Sequence, residues 1–349
     1  MRQGVKTLSL PRAPLARRAQ FALRVGYVPL LDCAPLIAAV ELGICERHRL
    51  NIRLMRQPGW ANVRDHVIFG ELDAAHAPAG LLLAINAGLA PVPAHCVTAF
   101  VFSQQGNAIT LSKRLYDRGI RDLADLALEA RQRREGEMLT LGVVSRYSTH
   151  AHLLRQWLRQ GGIKPDKEAR IVILPPTQMA QSLAAGHVDG FCVGEPWNTV
   201  AVAEGTGWLA GHSSTLAPGH PEKVLMVRRD FAEQREAEHL ALIAALSEAS
   251  AWCAEPANRH ELAAMLHRQA FPALTPSLLV RSLSSEDAPI FHGPGLHRPA
   301  PEKAAWLVEE MHRHGLLTAA AVAEANPLEA FRPEIYDRAL SLKSQALTA

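Results

Sequence analysis

GELDAAHAP at residues 70–78 and GHVDGFCVG at 186–194 follow one pattern: glycine, two residues, aspartate, then a short apolar run. Each follows an amphipathic stretch, so the glycine reads as the residue just past a helix end, where a left-handed conformation is needed. The apolar run after it reads as a buried strand. That one chain carries the pattern twice implies two similar α/β units.

Working outward, each unit shows strand-like runs separated by helical ones. The first has LRVGYV (23–28), LNIRLM (50–55), LDAAHA (72–77) and CVTAFVF (96–102); the second has LTLGVV (139–144), RIVIL (170–174) and DGFCV (189–193). Stretches such as APLIAAVELGI, AGLLLAINAG and TQMAQSLAAG fill the gaps. This alternation predicts parallel sheets covered by helices. Ligands of open α/β sheets sit beyond the carboxyl ends of the strands, so two sheets with facing carboxyl ends make a cleft. After Pro218, HPEKVLMVRRDF reads as a returning strand and the remainder as helices to about residue 342. The expected division is a tail at 1–20, lobe one at 20–108 plus 220–349, and lobe two at 109–219. The Pro/Gly-rich segment SSEDAPIFHGPGLHRPAP (284–301) reads as a surface loop packed on lobe one.

Composition narrows the function. The 349 residues are 48% hydrophobic, enough for two cores without disulfides or structural metal. Lys and Arg number 37 against 34 Asp and Glu, an excess too small for a nucleic-acid or membrane-surface binder acting through bulk charge. Cys33, Cys45, Cys96, Cys192 and Cys253 are scattered without a Cys-x-x-Cys pair and read as small buried apolar residues in a reducing compartment. His150/His152 and His312/His314 are spaced i,i+2, which points them apart on a helix, so no metal site is expected. The first twenty residues are basic and proline-interrupted, without the apolar core of a secretory signal, so a flexible basic tail on a cytoplasmic protein is expected. Nucleophile-elbow, P-loop, His-Glu-x-x-His and dinucleotide motifs do not occur, which favours a binding protein without cofactor over an enzyme.

Several long strings are distinctive: VGYVPLLDCAPLIAAVELG, GWANVRDHVIFGELDAAHAPAG, QQGNAITLS, THAHLLRQWLRQGGIKPD, LPPTQMAQSLAAGHVDGFCVGEPWN and HPEKVLMVRRDF. Over about residues 22 to 232 they resemble, in order, the nitrate and bicarbonate binding proteins of ABC importers, and within that family the cytoplasmic nitrate/nitrite sensors of NasS type. The resemblance implies an α/β fold of the type II periplasmic-binding-protein kind, two-lobed with the ligand in the cleft, here with a helical C-terminal extension. It also implies an anion pocket at Trp60, Gln105 or Gln104, His150, Asp189 and Lys223. A bicarbonate-binding relative is expected to be acidic at the lysine position, so Lys223 favours nitrate or nitrite. The sensor branch partners an RNA-binding antiterminator of NasT type and releases it when the anion binds.

Elementary chemistry supports such a set. A small planar monovalent anion needs several donors and one positive charge, and a lysine supplies that charge compactly. Trp60 follows Pro58-Gly59 and could offer its indole N–H and a flat wall. Gln104, Gln105 and Asn107 flank Gly106 just before the crossover, where amides could serve the ligand or the hinge. Thr149 and His150 open a helix whose free N–H groups suit an anion. Asp189, and Glu195 beside it, could hold Lys223 in place or could act as helix-start acids. Trp157 and Trp197 fall inside helical patterns and read as core.

Overall fold

In a computed structural model, residues 22–133 and 137–348 are described; the expected tail at 1–20 lies outside them. Ten strands are β1 (Leu23–Tyr27), β2 (Ile52–Arg56), β3 (Ala74–Pro78), β4 (Cys96–Val101), β5 (Asn107–Ser112), β6 (Leu139–Val143), β7 (Ala169–Ile173), β8 (Gly190–Gly194), β9 (Gly207–His212) and β10 (Lys223–Arg228). They form two five-stranded sheets, ordered β2-β1-β3-β10-β4 and β7-β6-β8-β5-β9. The orders correspond strand for strand. Three parallel strands carry one antiparallel strand (β10 or β5) and an edge strand beyond it. The fold is the two-lobed periplasmic-binding-protein architecture.

The chain swaps lobes through those antiparallel strands. β4 leads through residues 102–106 into β5 of the other sheet, and β9 leads through 213–222 back into β10. An antiparallel strand begins where its parallel neighbours end. Lys223 therefore pairs with Pro78 at the end of β3, and Asn107 pairs with Gly194 at the end of β8. Topology alone delivers one side chain from each lobe to the seam where the carboxyl ends of the sheets meet.

The two aspartates of the repeated motif do matching work at the opposite ends of the sheets. Asp73 accepts from the Arg24 backbone N–H and pairs with its guanidinium; Asp189 accepts from the Thr140 N–H and pairs with Arg133. In each lobe the carboxylate ties the start of the third strand to the central one.

β5 and β9 go beyond the strands read from sequence, for reasons taken up below. Helices Glu236–Ala254, Arg259–Gln269 and Pro276–Leu283 return to lobe one, where Glu236–Ala254 lies against Ala34–Glu41. Helix Pro301–Arg313 touches both helix Ala79–Asn86 of lobe one and helix Thr149–Gln160 of lobe two. The 284–301 segment packs on lobe one, where the His297 carbonyl accepts from the Val101 N–H, and it also reaches the seam. Ile290 exchanges two backbone hydrogen bonds with Gln104 at one crossover, and buried Asp287 holds His212, at the end of β9, at 2.8 Å. It straps the hinge to lobe two. All five cysteines are buried and unpaired. Among the described residues no helix is long and apolar enough to cross a membrane.

Candidate functional site

Lys223 is fully buried at the lobe seam. Its Nζ lies 2.9 Å from Asp32 Oδ2, contacts Glu222 Oε1, and sits 5.5 Å from the centre of the Trp60 ring. Asp32 follows β1 and His76 lies within β3, so both project from the carboxyl ends of the lobe-one sheet; His76 Nε2 is 2.9 Å from Asp32 Oδ1. Lobe two answers with His150 Nε2, 3.2 Å from Glu222 Oε1, and with Asn107 Nδ2, which donates to Glu222 Oε2 at 2.7 Å. His220 Nδ1 stands 3.6 Å from the same carboxylate.

Protonation states follow from this packing. Burial opposes the ammonium of Lys223, but Asp32 and Glu222 outweigh it and raise its pKa. Burial likewise opposes both carboxylates, and Lys223, helped by His76 or His150, holds them below the ordinary range. His76, His150 and His220 are lowered, first by burial, and stay neutral near pH 7. The cluster thus carries one ammonium against two carboxylates.

Its remaining polar atoms are not saturated by the protein. Trp60 Nε1, both ring nitrogens of His76 and of His150, and Asn107 Oδ1 are buried without an aligned hydrogen-bond partner. Such atoms are costly unless something polar joins them. A cavity of about 240 Å³ lies between the lobes and shares Trp60 with the cluster; it is walled by Trp60, Asn62 and Arg64 from one lobe and Ser145, Tyr147 and Pro175 from the other.

Of the residues expected from sequence, the structure brings Trp60, Asn107, His150 and Lys223 together. Asp189 is not with them: the partners of Lys223 are Asp32 and Glu222, while Asp189 pairs with Arg133 at the opposite, amino end of its sheet. The reason is directional, since an aspartate that precedes a parallel strand sits at the amino end and the cleft lies at the other. Gln104 and Gln105 occupy the crossover, and among the described residues their hydrogen bonds run through the backbone, with Gln105 at a left-handed φ of 59°. Buried Glu195 caps helix Trp197–Ala203 by accepting from the Thr199 N–H, and burial pushes its carboxyl up to about 8. Its backbone carbonyl accepts from the Leu31 N–H at 2.7 Å, and the Trp197 indole donates to Pro29 O, so both residues stitch the lobes together.

Sequence reading passed over Asp32, His76, Glu222 and His220. Signals existed: a histidine inside the otherwise apolar run LDAAHA, an aspartate just past the first strand, and a glutamate beside the lysine.

His152, Glu310 and His314 also meet across the lobes, with His152 Nδ1 3.2 Å from His314 Nδ1. The i,i+2 argument compared histidines within one helix and could not foresee a meeting between helices. Glu310 is already engaged by Arg159 and Arg313, and Arg155 adds positive charge nearby. Burial, then these neighbours, lower His152 to about 3 and His314 to about 4. Surrounded by guanidinium groups, the trio suits an inter-lobe latch better than a divalent cation.

With this geometry in hand, the comparisons are specific. Residues 17–267, more than half of the chain, match the NMT1-like family. The chain belongs to that family. This NMT1-like chain is 41% identical over 242 residues to the nitrate import ATP-binding protein NrtC of Synechocystis sp., covering 69% of itself and 36% of that protein. It is 33% identical to the nitrate/nitrite binding protein NrtA of Synechococcus elongatus, over 68% of itself and 56% of the relative. It spans about half the length of the curated relatives it matches. The crystal structure of the periplasmic nitrate-binding protein NrtA from Synechocystis superposes with a TM-score of 0.85 at 24% identity, covering 92% of this chain and 88% of that one, which establishes the shared fold.

Proposed function

We propose that this NMT1-like chain binds a small monovalent oxyanion, nitrate or nitrite, between its lobes and releases it unchanged. The observation that carries the reading is the fully buried ammonium of Lys223, at a seam lined by Trp60, His76, His150 and Asn107 whose polar atoms exceed the partners the protein supplies. A lysine at this point suits an anion with spread charge and no proton to donate. The named relatives, a nitrate import protein and a nitrate/nitrite binding protein, point to the same ligand class.

Two roles fit an oxyanion clamp. The relatives favour the substrate-binding component of a nitrate-type ABC importer. The sequence resemblance to NasS-type sensors favours a cytoplasmic switch that holds an RNA-binding antiterminator of NasT type and frees it when the lobes close on the anion. In the second role the ligand shifts the partner only by its differential affinity for the closed state. Isothermal titration with nitrate, nitrite, bicarbonate and taurine tests the ligand: saturable binding of the first two is expected, and silence with both refutes the reading. Size-exclusion of the chain with a NasT-type protein, with and without nitrate, separates the roles, because a complex dissolved by nitrate belongs to the sensor alone.

A further inference from the structure

The charges at the seam do not suit an anion as they stand. Lys223 contributes one positive charge, Asp32 and Glu222 two negative ones, and all three are sealed from water. A nitrate or nitrite added to this enclosure would raise the excess to two negative charges in a region of low dielectric, where like charges repel strongly. The groups that face the cluster are His76 and Trp60 from lobe one, Asn107 and His150 from lobe two, and His220 beside Glu222; only the imidazoles among these can change charge.

We propose that the oxyanion enters together with a proton, which settles on His150 or His76. This deepens the oxyanion reading above and rests on it. Each ring places Nε2 within ion-pair distance of a carboxylate, His150 toward Glu222 at 3.2 Å and His76 toward Asp32 at 2.9 Å. Each also keeps Nδ1 buried without a partner. A neutral ring with its N–H on Nε2 would offer the anion only a lone pair at Nδ1. Protonation there turns an acceptor into a donor and adds the missing positive charge, while the carboxylate already in place stabilises the imidazolium. Neither nitrate nor nitrite carries a proton near neutral pH, so the proton comes from solvent. Burial keeps both rings neutral before binding, which makes the uptake linked to the ligand.

The test is a direct count of protons. Unbuffered protein between about pH 6.5 and 8 is mixed with saturating sodium nitrate, and the acid needed to restore the starting pH is measured, alongside the nitrate Kd across the same range. Expected are uptake near one proton per bound anion and a Kd that weakens by up to about tenfold per pH unit. Binding with no proton uptake and a flat Kd overturns the inference while leaving the ligand reading intact; absence of nitrate and nitrite binding from about pH 5.5 to 8.5 overturns both. Glu222→Gln and Asp32→Asn each remove the excess negative charge, so uptake in either folded variant falls toward zero. Uptake that stays at one in both overturns the assignment to the imidazoles facing these carboxylates, and the wild-type count decides the linkage should neither variant fold.

Discussion

Replacing Lys223 by Met keeps the stem's length and apolar contacts and deletes only the ammonium. Asp32 and Glu222 are 3% and 0% exposed, so solvent cannot take the ammonium's place. At the 2.9 Å separation of Nζ and Asp32 Oδ2, the pair interaction is about 6 kcal/mol with an effective dielectric of ~20, much of it offset by desolvation. Removing one partner of such a buried set costs about 3–5 kcal/mol, because the surviving charges remain buried. The pH dependence identifies the cause. In the wild type both carboxyl pKa values lie below their unfolded values. Their contribution is therefore complete above the unfolded range and lost as pH falls through the depressed folded values. Without the ammonium, burial dominates and lifts the carboxyls above the unfolded range, so the variant is penalised as pH rises. Urea unfolding should show Lys223→Met close to wild type near pH 4.5 and weaker by about 3–5 kcal/mol near pH 8, with nitrate affinity at least ~30-fold lower at pH 8. An equal loss at both pH values, or none at pH 8, refutes the buried counter-charge argument.

Glu195→Gln should stabilise the protein at pH 8: the wild-type carboxyl, raised to about 8, stays neutral in the folded state only below that pH, so its contribution is complete below about pH 4.5 and lost as pH rises through 8. Thermal unfolding of variant and wild type should coincide near pH 4.5 and diverge by a few kcal/mol at pH 8 in the variant's favour. Gly80→Ala should prop the cleft open, because a Cβ on Gly80 would lie 2.0 Å from the backbone oxygen of Tyr147 in the other lobe. Small-angle scattering with saturating nitrate should show a larger radius than wild type, nitrate affinity should fall at least ~10-fold, and urea stability should change by less than about 1 kcal/mol. Asp189→Asn should lower stability by about 1–3 kcal/mol, since Arg133 loses its charged acceptor. Nitrate affinity should stay within about twofold of wild type; a larger loss would return Asp189 to the site.

Eight of the ten strands are legible in sequence, because each is a short, mainly apolar run set between helical or turn signals. The two that escape have visible reasons. β5, NAITLS, is wholly buried but follows QQG at the crossover, so its polar start reads as turn. β9, GWLAGH, carries two glycines, is mostly half-exposed and forms the sheet edge, where little in the side chains demands a strand. The 284–301 segment packs on lobe one as read, through His297 on Val101 of β4, and what its prolines and glycines cannot show is the backbone pairing of Ile290 with Gln104 at the crossover.

The candidate site divides along a different line. Lys223, His150 and Trp60 are legible because each opens a strand or helix at the seam, a position that local pattern predicts, whereas Asn107 is legible only as an amide beside Gly106 at the crossover. What local pattern cannot supply is pairing. Asp32 and Lys223 are brought together only when β10 is inserted beside β3 in the same sheet as β1, a consequence of the chain returning from the other lobe. A buried ammonium needs a carboxylate, and the repeated motif offers Asp189 for that place. The repeat itself carried the refutation: Asp73 holds the matching place in lobe one, and a residue that recurs in both lobes with the same backbone partner serves the sheet. The residues at the seam do not repeat. Lys223 on β10 is answered by Asn107 on β5, a cation facing an amide at equivalent positions of two like lobes, and that broken symmetry gives the enclosed seam its one ammonium.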